Sequence, residues 1–123
     1  MADGDFDVKT RFKSPLPGSG FNASGTAVNE KTMVVGSITF TYNTNGLSIT
    51  APDLGLSTID FMDFTQVAAN NDTAGTAAAP LYAIYDGSKV IITDDAGTEA
   101  TDSQTGSMRF IAFGDSAAVA NLT

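Results

Sequence analysis

Residues 32–51, TMVVGSITFTYNTNGLSITA, decide the fold, and their pattern predicts one β-hairpin. In the first arm, apolar residues at even positions alternate with polar ones; the even set is Val34, Ile38, Phe40 and Tyr42. This period of two is typical of a strand with one buried face. Asn45 and Gly46 both tolerate positive φ, which predicts a two-residue turn. The return arm then carries Leu47, Ile49 and Ala51 on its apolar face.

The remaining strand candidates are separated by turns and polar loops. They lie at 6–12, 56–67, 81–85, 89–93 and 108–113. Within 56–67 the apolar phase changes between Phe61 and Met62, which predicts a β-bulge or a strand that changes sheets. Asp86 and Gly87 are predicted to form the turn of a second hairpin. With no convincing helix, the chain is predicted to be all-β, a small antiparallel β-sandwich or barrel with an extended N-terminal arm.

The N-terminal arm is predicted to precede a single β-domain. Residues 1–26 combine a short strand with a spacer rich in proline and glycine, and residues 27–123 form the β-domain. Two interpretations of the spacer stay open: it lies against its own domain, or it reaches a neighbouring molecule. In the strand, alternation places Lys9, Arg11 and Lys13 on one face. That strand either docks on a partner or belongs to the domain's own sheet.

The charge of the chain is unevenly distributed. Its formal net charge is −8, from 14 acidic and 6 basic residues, and the whole excess lies after residue 31. An acidic body repels the backbone of nucleic acids, so nucleic-acid binding is not expected. No apolar run approaches the ~20 residues of a membrane helix, and the first residues lack the apolar core of a signal peptide. We therefore expect neither membrane insertion nor export.

Candidate catalytic and metal-ligating residues are sparse. The chain has no cysteine, histidine or tryptophan, which removes thiolate and imidazole ligands, the usual general base and the best stacking platform for sugars. Asp60 and Asp63, three apart on a predicted strand, make a poor carboxylate pair for glycoside hydrolysis. The cluster of Asp94, Asp95 and Glu99 lacks the spacing of an EF-hand loop. We therefore expect no enzyme activity, no cofactor, no metal and no small-molecule substrate.

Three runs of the sequence resemble small structural proteins of tailed-bacteriophage virions. They are GLSITAPDLGLSTIDFMDF, LYAIYDGSKVIITDDAGTEATD and MRFIAFGD, and they include the strings G-L-S-T-I and R-F-x-A-x-G. The likeness extends over residues 32–115. It implies a capsid decoration (cement) protein that binds the major capsid protein on the outer surface of the virion, commonly as a homotrimer. Such a protein is made in the cytoplasm of the host bacterium, a reducing compartment that suits a chain without cysteine.

The resemblance also implies that the N-terminal arm attaches the protein to the shell. The residues expected to contact the capsid or a neighbouring subunit are Phe6, Val8, Lys9, Arg11, Phe12, Lys13, Leu16 and Phe21. An alternative from another class stays open. A receptor- or glycan-binding β-module of a phage tail or fibre would share the all-β body and the lack of catalytic residues. The absence of tryptophan and the position of the tyrosines within strands argue against that alternative.

Overall fold

The structure, a computed structural model, describes residues 2–16, 30–69 and 81–116, which fold almost entirely into antiparallel β-structure. The described strands are β1 (Phe6–Pro15), β2 (Lys31–Thr41), β3 (Phe61–Ala69), β4 (Tyr82–Tyr85), β5 (Val90–Thr93) and β6 (Thr105–Asp115). Within those ranges the one helical segment is a 3₁₀ turn, Ala51–Leu54. No helix in the described part of the chain is long and apolar enough to cross a membrane.

The strands form two layers. Four of them pair antiparallel in one sheet, in the order β1-β2-β6-β3, and β4 pairs with β5 in a hairpin. The residues that follow the turn at 45–46 join this hairpin in the opposite layer, because Leu47 forms an antiparallel bridge with Val90. A hydrogen bond of 3.0 Å from Leu81 N–H to the Val67 carbonyl connects β4 to β3. This arrangement confirms the prediction of an all-β protein with antiparallel sheets.

The core lies between the inner face of the four-stranded sheet and the opposite layer. Along most of β2 and β6, even-numbered residues are buried and odd-numbered residues are partly exposed. The buried apolar side chains of the sheet are Val34, Ile38, Phe40, Met62, Met108, Phe110 and Ala112. Those of the opposite layer include Leu47, Ile49, Leu54, Leu56, Leu81, Val90 and Ile92. Burial of apolar surface contributes about 25 cal/mol per Å², so this core is the main source of stability.

The predicted hairpin at 32–51 is wrong in its second arm. Asn45 and Gly46 do form a turn, with φ values of 79° and 114°. The chain after the turn does not pair with β2, because β1 and β6 already occupy both edges of that strand. Leu47 and Ile49 are nevertheless fully buried, in the opposite layer. The apolar pattern of this segment therefore reports burial and not pairing with β2.

The predicted hairpin at 81–93 and the predicted strand at 108–113 are confirmed. Tyr82–Tyr85 and Val90–Thr93 pair in antiparallel register. Their turn contains Gly87, with a φ of 97°, and a hydrogen bond of 3.0 Å from Asp86 N–H to the Lys89 carbonyl. Strand β6 contains the whole predicted segment and is one of the two central strands of the main sheet.

The predicted irregularity in 56–67 lies at a different place. Phe61 and Met62 pair in continuous register with β6, so the change of phase there is not a bulge. Phe61 instead faces outward, where its ring contacts Phe113. The register of β3 shifts farther along, between Thr65 and Ala68. The apolar residue that broke the pattern therefore belongs to the outer face of the sheet.

Strand β1 is an edge strand of the main sheet and not an extended arm. It pairs with β2 from Phe6 to Pro15, and Phe6 and Val8 pack against the core. Of the two interpretations of this strand, the structure agrees with membership of the domain's own sheet. The predicted domain boundary at residue 26 and most of the spacer lie outside the described residues.

Candidate functional site

The outer face of the main sheet carries an apolar stripe that no other described element covers. The stripe consists of two adjacent rows of cross-strand partners; its members are Phe12, Met33, Val35, Phe61, Ile111 and Phe113. Phe12 and Phe61, at its two ends, are each 49% exposed, and the other four are half-buried. Because neighbouring strands lie about 4.8 Å apart, the stripe extends about 14 Å across the sheet. Contiguous exposed apolar surface of this kind marks binding surfaces.

A β-bulge in β1 places Phe12 in the stripe. The register of β1 against β2 shifts between Thr10 and Phe12, so that Arg11 is the extra residue. A single extra residue reverses the faces of all residues that follow it in the strand. Phe12 therefore pairs with Val35 on the outer face, although Phe6 on the other side of the bulge faces the core.

Gly36 of β2 lies opposite the bulge and permits it. A Cβ atom at this position would overlap the carbonyl oxygen of Lys9 and would lie 3.0 Å from the ring of Phe110. Glycine in a strand often marks such a close approach of a second backbone. The positions of Arg11 and Phe12 on the outer face thus depend on the missing side chain at Gly36.

A basic groove, defined by Lys9, Arg11 and Arg109, borders one side of the stripe. The two arginines line a cavity of about 280 Å³ together with Val35 and Ile111 of the stripe. Lys9 and Arg109 both pair with Ser37, so they lie in the same cross-strand row. Half of the 6 basic residues of the chain are therefore gathered here.

Neither arginine of the basic groove is neutralised in the described part of the chain. The ion pairs found there involve Lys31, and no hydrogen bond from the guanidinium of Arg11 or Arg109 is present. Asp63 lines the same cavity, but its carboxylate accepts a hydrogen bond of 2.9 Å from the N–H of Phe64 and forms no ion pair with either arginine. Two guanidinium groups thus converge on one groove with their donors available to a ligand.

An acidic cluster, defined by Lys31, Asp60 and Asp115, borders the other side of the stripe. Lys31 Nζ lies 2.6 Å from the carboxylate of Asp60 and 2.5 Å from that of Asp115. The hydrogen bond to Asp115, followed by the one to Asp60, raises the pKa of Lys31 above its usual value. One cation between two carboxylates leaves a formal charge of −1. The stripe is therefore bordered by opposite charges on its two sides.

The predicted basic face of β1 is wrong. Lys9 lies on the outer face, and Arg11 occupies the bulge and lines the groove. The bulge turns Lys13 to the inner side of the sheet, where its Nζ donates a hydrogen bond of 2.8 Å to the Gly55 carbonyl. Simple alternation had placed these three cations together, but the extra residue separates Lys13 from the others.

The other predicted contact residues are divided between the core and the outer face. Phe12 lies in the stripe, whereas Phe6 and Val8 are half-buried against the core. Leu16 is half-buried, and its N–H donates a hydrogen bond of 2.8 Å to the Lys31 carbonyl. Phe21 lies outside the described residues. Three of the eight predicted contact residues, Lys9, Arg11 and Phe12, therefore face the candidate surface.

Sequence reasoning missed most of the surface. The missed members are Met33, Val35, Phe61, Arg109, Ile111 and Phe113. A signal for several of them was present, because 33–35 and 110–113 are apolar at both odd and even positions. Such runs indicate a strand that is apolar on both faces. The prediction considered only the even face of β2.

A buried hydrogen-bond network outside this surface connects the 45–46 turn to the core. The Tyr42 hydroxyl, fully buried, donates a hydrogen bond of 2.5 Å to Glu99 Oε2. Glu99 also accepts a hydrogen bond of 2.8 Å from the N–H of Asn45. Burial, reinforced by the bond to Glu99, raises the pKa of Tyr42 to about 12. This network holds the 45–46 turn against the core.

Two of the carboxylates considered as calcium ligands have structural partners: Asp94 within its own turn, and Glu99 at the Tyr42 hydroxyl. Asp94 accepts hydrogen bonds of 2.9 Å from the N–H groups of Ala96 and Thr98. This is the pattern of an aspartate that stabilises its own turn. Across residues 2–16, 30–69 and 81–116, no group of three acidic side chains is placed to hold a metal ion.

A second cavity, of about 680 Å³, lies beside β3 and β4. Its lining includes Gln66, Tyr82, Asp94 and Asp95. Tyr82 is 55% exposed, and Gln66 adopts a left-handed conformation with a φ of 54° in the bulge of β3. An exposed aromatic ring beside amide and carboxylate groups can bind polar ligands such as sugars.

No protein-family model matches the chain, and neither the curated proteins nor the solved structures give a match.

Proposed function

We propose that this protein is a structural component of a bacteriophage virion that binds the outer surface of the capsid shell and decorates or stabilises it. The observation that carries the proposal is the apolar stripe on the outer face of the main sheet, which would contact the shell. The sequence resemblance supplies the class of partner, the major capsid protein, and suggests a homotrimer.

The composition of the outer face supports a protein partner. Protein interfaces combine an apolar centre with a polar rim, and they are enriched in aromatic residues, methionine and arginine relative to the rest of the surface. The stripe supplies three phenylalanines, and Arg11 and Arg109 lie at its border. The carboxylates beside the β4–β5 hairpin, Asp86, Asp94 and Asp95, would remain on the solvent side, where they would help to keep decorated particles apart.

The face is a better candidate for the contact than the edge of β1. An edge strand can pair with a strand of a partner through main-chain hydrogen bonds. Strand β1 carries several features that oppose such pairing: a bulge at Arg11, alternating charges at Asp7 and Lys9, and Pro15 at its end. We therefore assign the contact to the stripe.

The two exposed rings of the stripe give the test of this function. The double variant Phe12→Ser/Phe61→Ser removes apolar surface that is about half exposed, so the fold should persist. Its affinity for capsid shells should fall about tenfold or more, since burial of a phenylalanine is worth ~1.5–3 kcal/mol and 1.4 kcal/mol is a factor of ten. Co-sedimentation with shells that lack the protein, over a concentration series, measures this affinity.

The matched control removes two apolar side chains from the opposite layer. In Tyr82→Ser/Ile84→Ser the lost side chains are 55% and 64% exposed, respectively. This control should bind shells as the unaltered protein does. Equal affinity of all three proteins for the shells would refute a contact through the stripe. A loss of affinity in the control alone would show that β4 makes the contact instead.

A receptor- or glycan-binding module of a phage tail or fibre is the second candidate. The cavity beside Tyr82 favours it, because the exposed ring lies among amide and carboxylate groups. The number of copies per purified virion separates the two functions. Hundreds of copies indicate decoration of the shell, and a handful indicates a tail component.

A further inference from the structure

We propose that the segment bound by the outer face is an amphipathic stretch of protein that places carboxylates in the basic groove and apolar side chains on the stripe. The inference rests on the proposed function for the identity of the partner, the capsid shell. The chemistry of the bound segment follows from the groove itself and can be tested without a shell.

The two arginines determine the chemistry of the ligand. The side chains of Arg11 and Arg109 line one cavity of about 280 Å³, and in the described chain neither has an acidic partner. A guanidinium group presents planar paired donors that match a carboxylate. The apolar walls formed by Val35 and Ile111 would exclude water from such a pair and strengthen it.

The overall charge restricts the ligand to a short acidic segment. Phosphates would also suit guanidinium groups, but a nucleic-acid strand extends beyond the groove and would meet the acidic remainder of a chain with a net charge of −8. A protein segment can carry one or two carboxylates at the groove and apolar residues beside them. This is the class of ligand that satisfies the groove and the stripe together.

The charges on either side of the stripe give the segment an orientation. Its carboxylates should lie over the basic groove, and its other side, over the acidic cluster, should carry neutral or basic residues. Asp63 pairs with Ile111 at the β3 end of the stripe and is exposed. A hydrogen-bond donor of the segment should therefore face Asp63.

A second copy of this chain fits the face poorly in both simple two-fold arrangements. With the axis along the strands, the basic groove of one copy would lie over that of the other, and like charges would repel. With the axis across the strands, the two rows of the stripe would exchange and the basic groove would lie over the acidic cluster, but Asp63 of each copy would then lie over the ring of Phe61 of the other. Burial of a carboxylate against a ring without a donor is unfavourable.

Two designed helical peptides test the proposal on the full-length protein. Both have the same leucine face; one is flanked by glutamate and the other by lysine. Overall charge alone would favour the lysine peptide, whereas the groove should favour the glutamate peptide. At low salt we expect the glutamate peptide to bind at least tenfold more tightly and to shift the amide resonances of Val35 and Ile111. Arg109→Glu should abolish or reverse this preference.

The control for the substitution is Lys89→Glu, which changes the net charge equally in the opposite layer. It should leave the preference for the glutamate peptide intact.

The proposal is overturned by binding of neither peptide, by preference for the lysine peptide at the stripe, or by a preference that survives Arg109→Glu. It is also overturned by a concentration-dependent dimer that Phe12→Ser/Phe61→Ser dissociates, since a second copy would then cover the face. If the protein binds shells but does not prefer the glutamate peptide, only this inference is refuted. If it prefers the glutamate peptide but does not bind shells, only the proposed function is refuted.

Discussion

Tyr42 shows how a single residue links a turn to the core. The sequence pattern predicted its burial, because Tyr42 continues the even-numbered apolar series of β2 one residue beyond the strand, and the structure confirms complete burial. The pattern did not predict its partner. Glu99 is 57 residues away in the chain, and it accepts hydrogen bonds from both the Tyr42 hydroxyl and the Asn45 N–H. Partners this distant are set by the packing of the two layers and not by local spacing.

The raised pKa of Tyr42 predicts a loss of stability in alkaline solution. Its pKa rises from 10.0 to about 12 on folding, so the folded state favours the protonated hydroxyl. That contribution, at most about 3 kcal/mol at 1.4 kcal/mol per pH unit, is present below pH 10 and is lost as the pH rises towards 12. Urea unfolding at pH 8, 10 and 11.5 measures it.

The variant Tyr42→Phe isolates this group. It should lose about 1 kcal/mol at pH 8, because the hydrogen bond to Glu99 disappears. Between pH 10 and 12 it should lose less stability than the unaltered protein, since phenylalanine does not ionise. Tyr82→Phe, at an exposed position, is the control and should follow the unaltered protein. If the free energy of unfolding changed with pH in the same way for all three proteins, ionisation of Tyr42 would not be coupled to unfolding.

At the scale of elements, the bulge in β1 decides which residues reach the outer face. Its position depends on the pairing of Phe12 with Val35 and on the close approach of Lys9 to Gly36. These contacts join segments that are more than 20 residues apart in the chain. A prediction from the alternation in β1 alone therefore identified the strand but assigned Phe12 and Lys13 to the wrong faces.

The variant Gly36→Ala tests the bulge. In an ordinary strand this change is neutral or stabilising, because alanine restricts the unfolded chain. Here the methyl group would overlap the Lys9 carbonyl, so we expect a loss of about 2 kcal/mol or more. The midpoint of chemical unfolding measures the loss, and Ser37→Ala on the outer face of the same strand is the control. Unchanged or increased stability in Gly36→Ala would show that β1 does not bulge at this position.

The element predictions that succeeded relied on local signals, whereas the pairing of 47–51 required a choice of partner. The β4–β5 hairpin was predicted correctly because its two short strands pair directly with each other across their turn. For 47–51 the turn signal was equally strong, but β1 and β6 occupy both edges of β2. The residues of a turn do not show whether the edges of the preceding strand are already occupied.

At the level of the whole molecule, the outer face of the main sheet combines an apolar stripe with charges of both signs along its borders. The basic groove and the stripe share the outer face of the main sheet, while ten of the 14 acidic residues lie after residue 31. The sequence revealed the charge imbalance and the absence of strong catalytic signals. It did not reveal the surface, because Phe12, Val35, Ile111 and Phe61 come from four strands that only the sheet order brings together.

A reconstruction of the purified virion by cryo-electron microscopy would show whether the stripe contacts the capsid shell. We expect many copies on the outside of the shell, each with the outer face of its four-stranded sheet against the capsid protein. Density for an acidic side chain of the capsid protein should lie between Arg11 and Arg109. Copies confined to the tail would contradict a role in decoration of the shell, and copies on the shell whose stripe faces solvent would contradict a contact through the stripe.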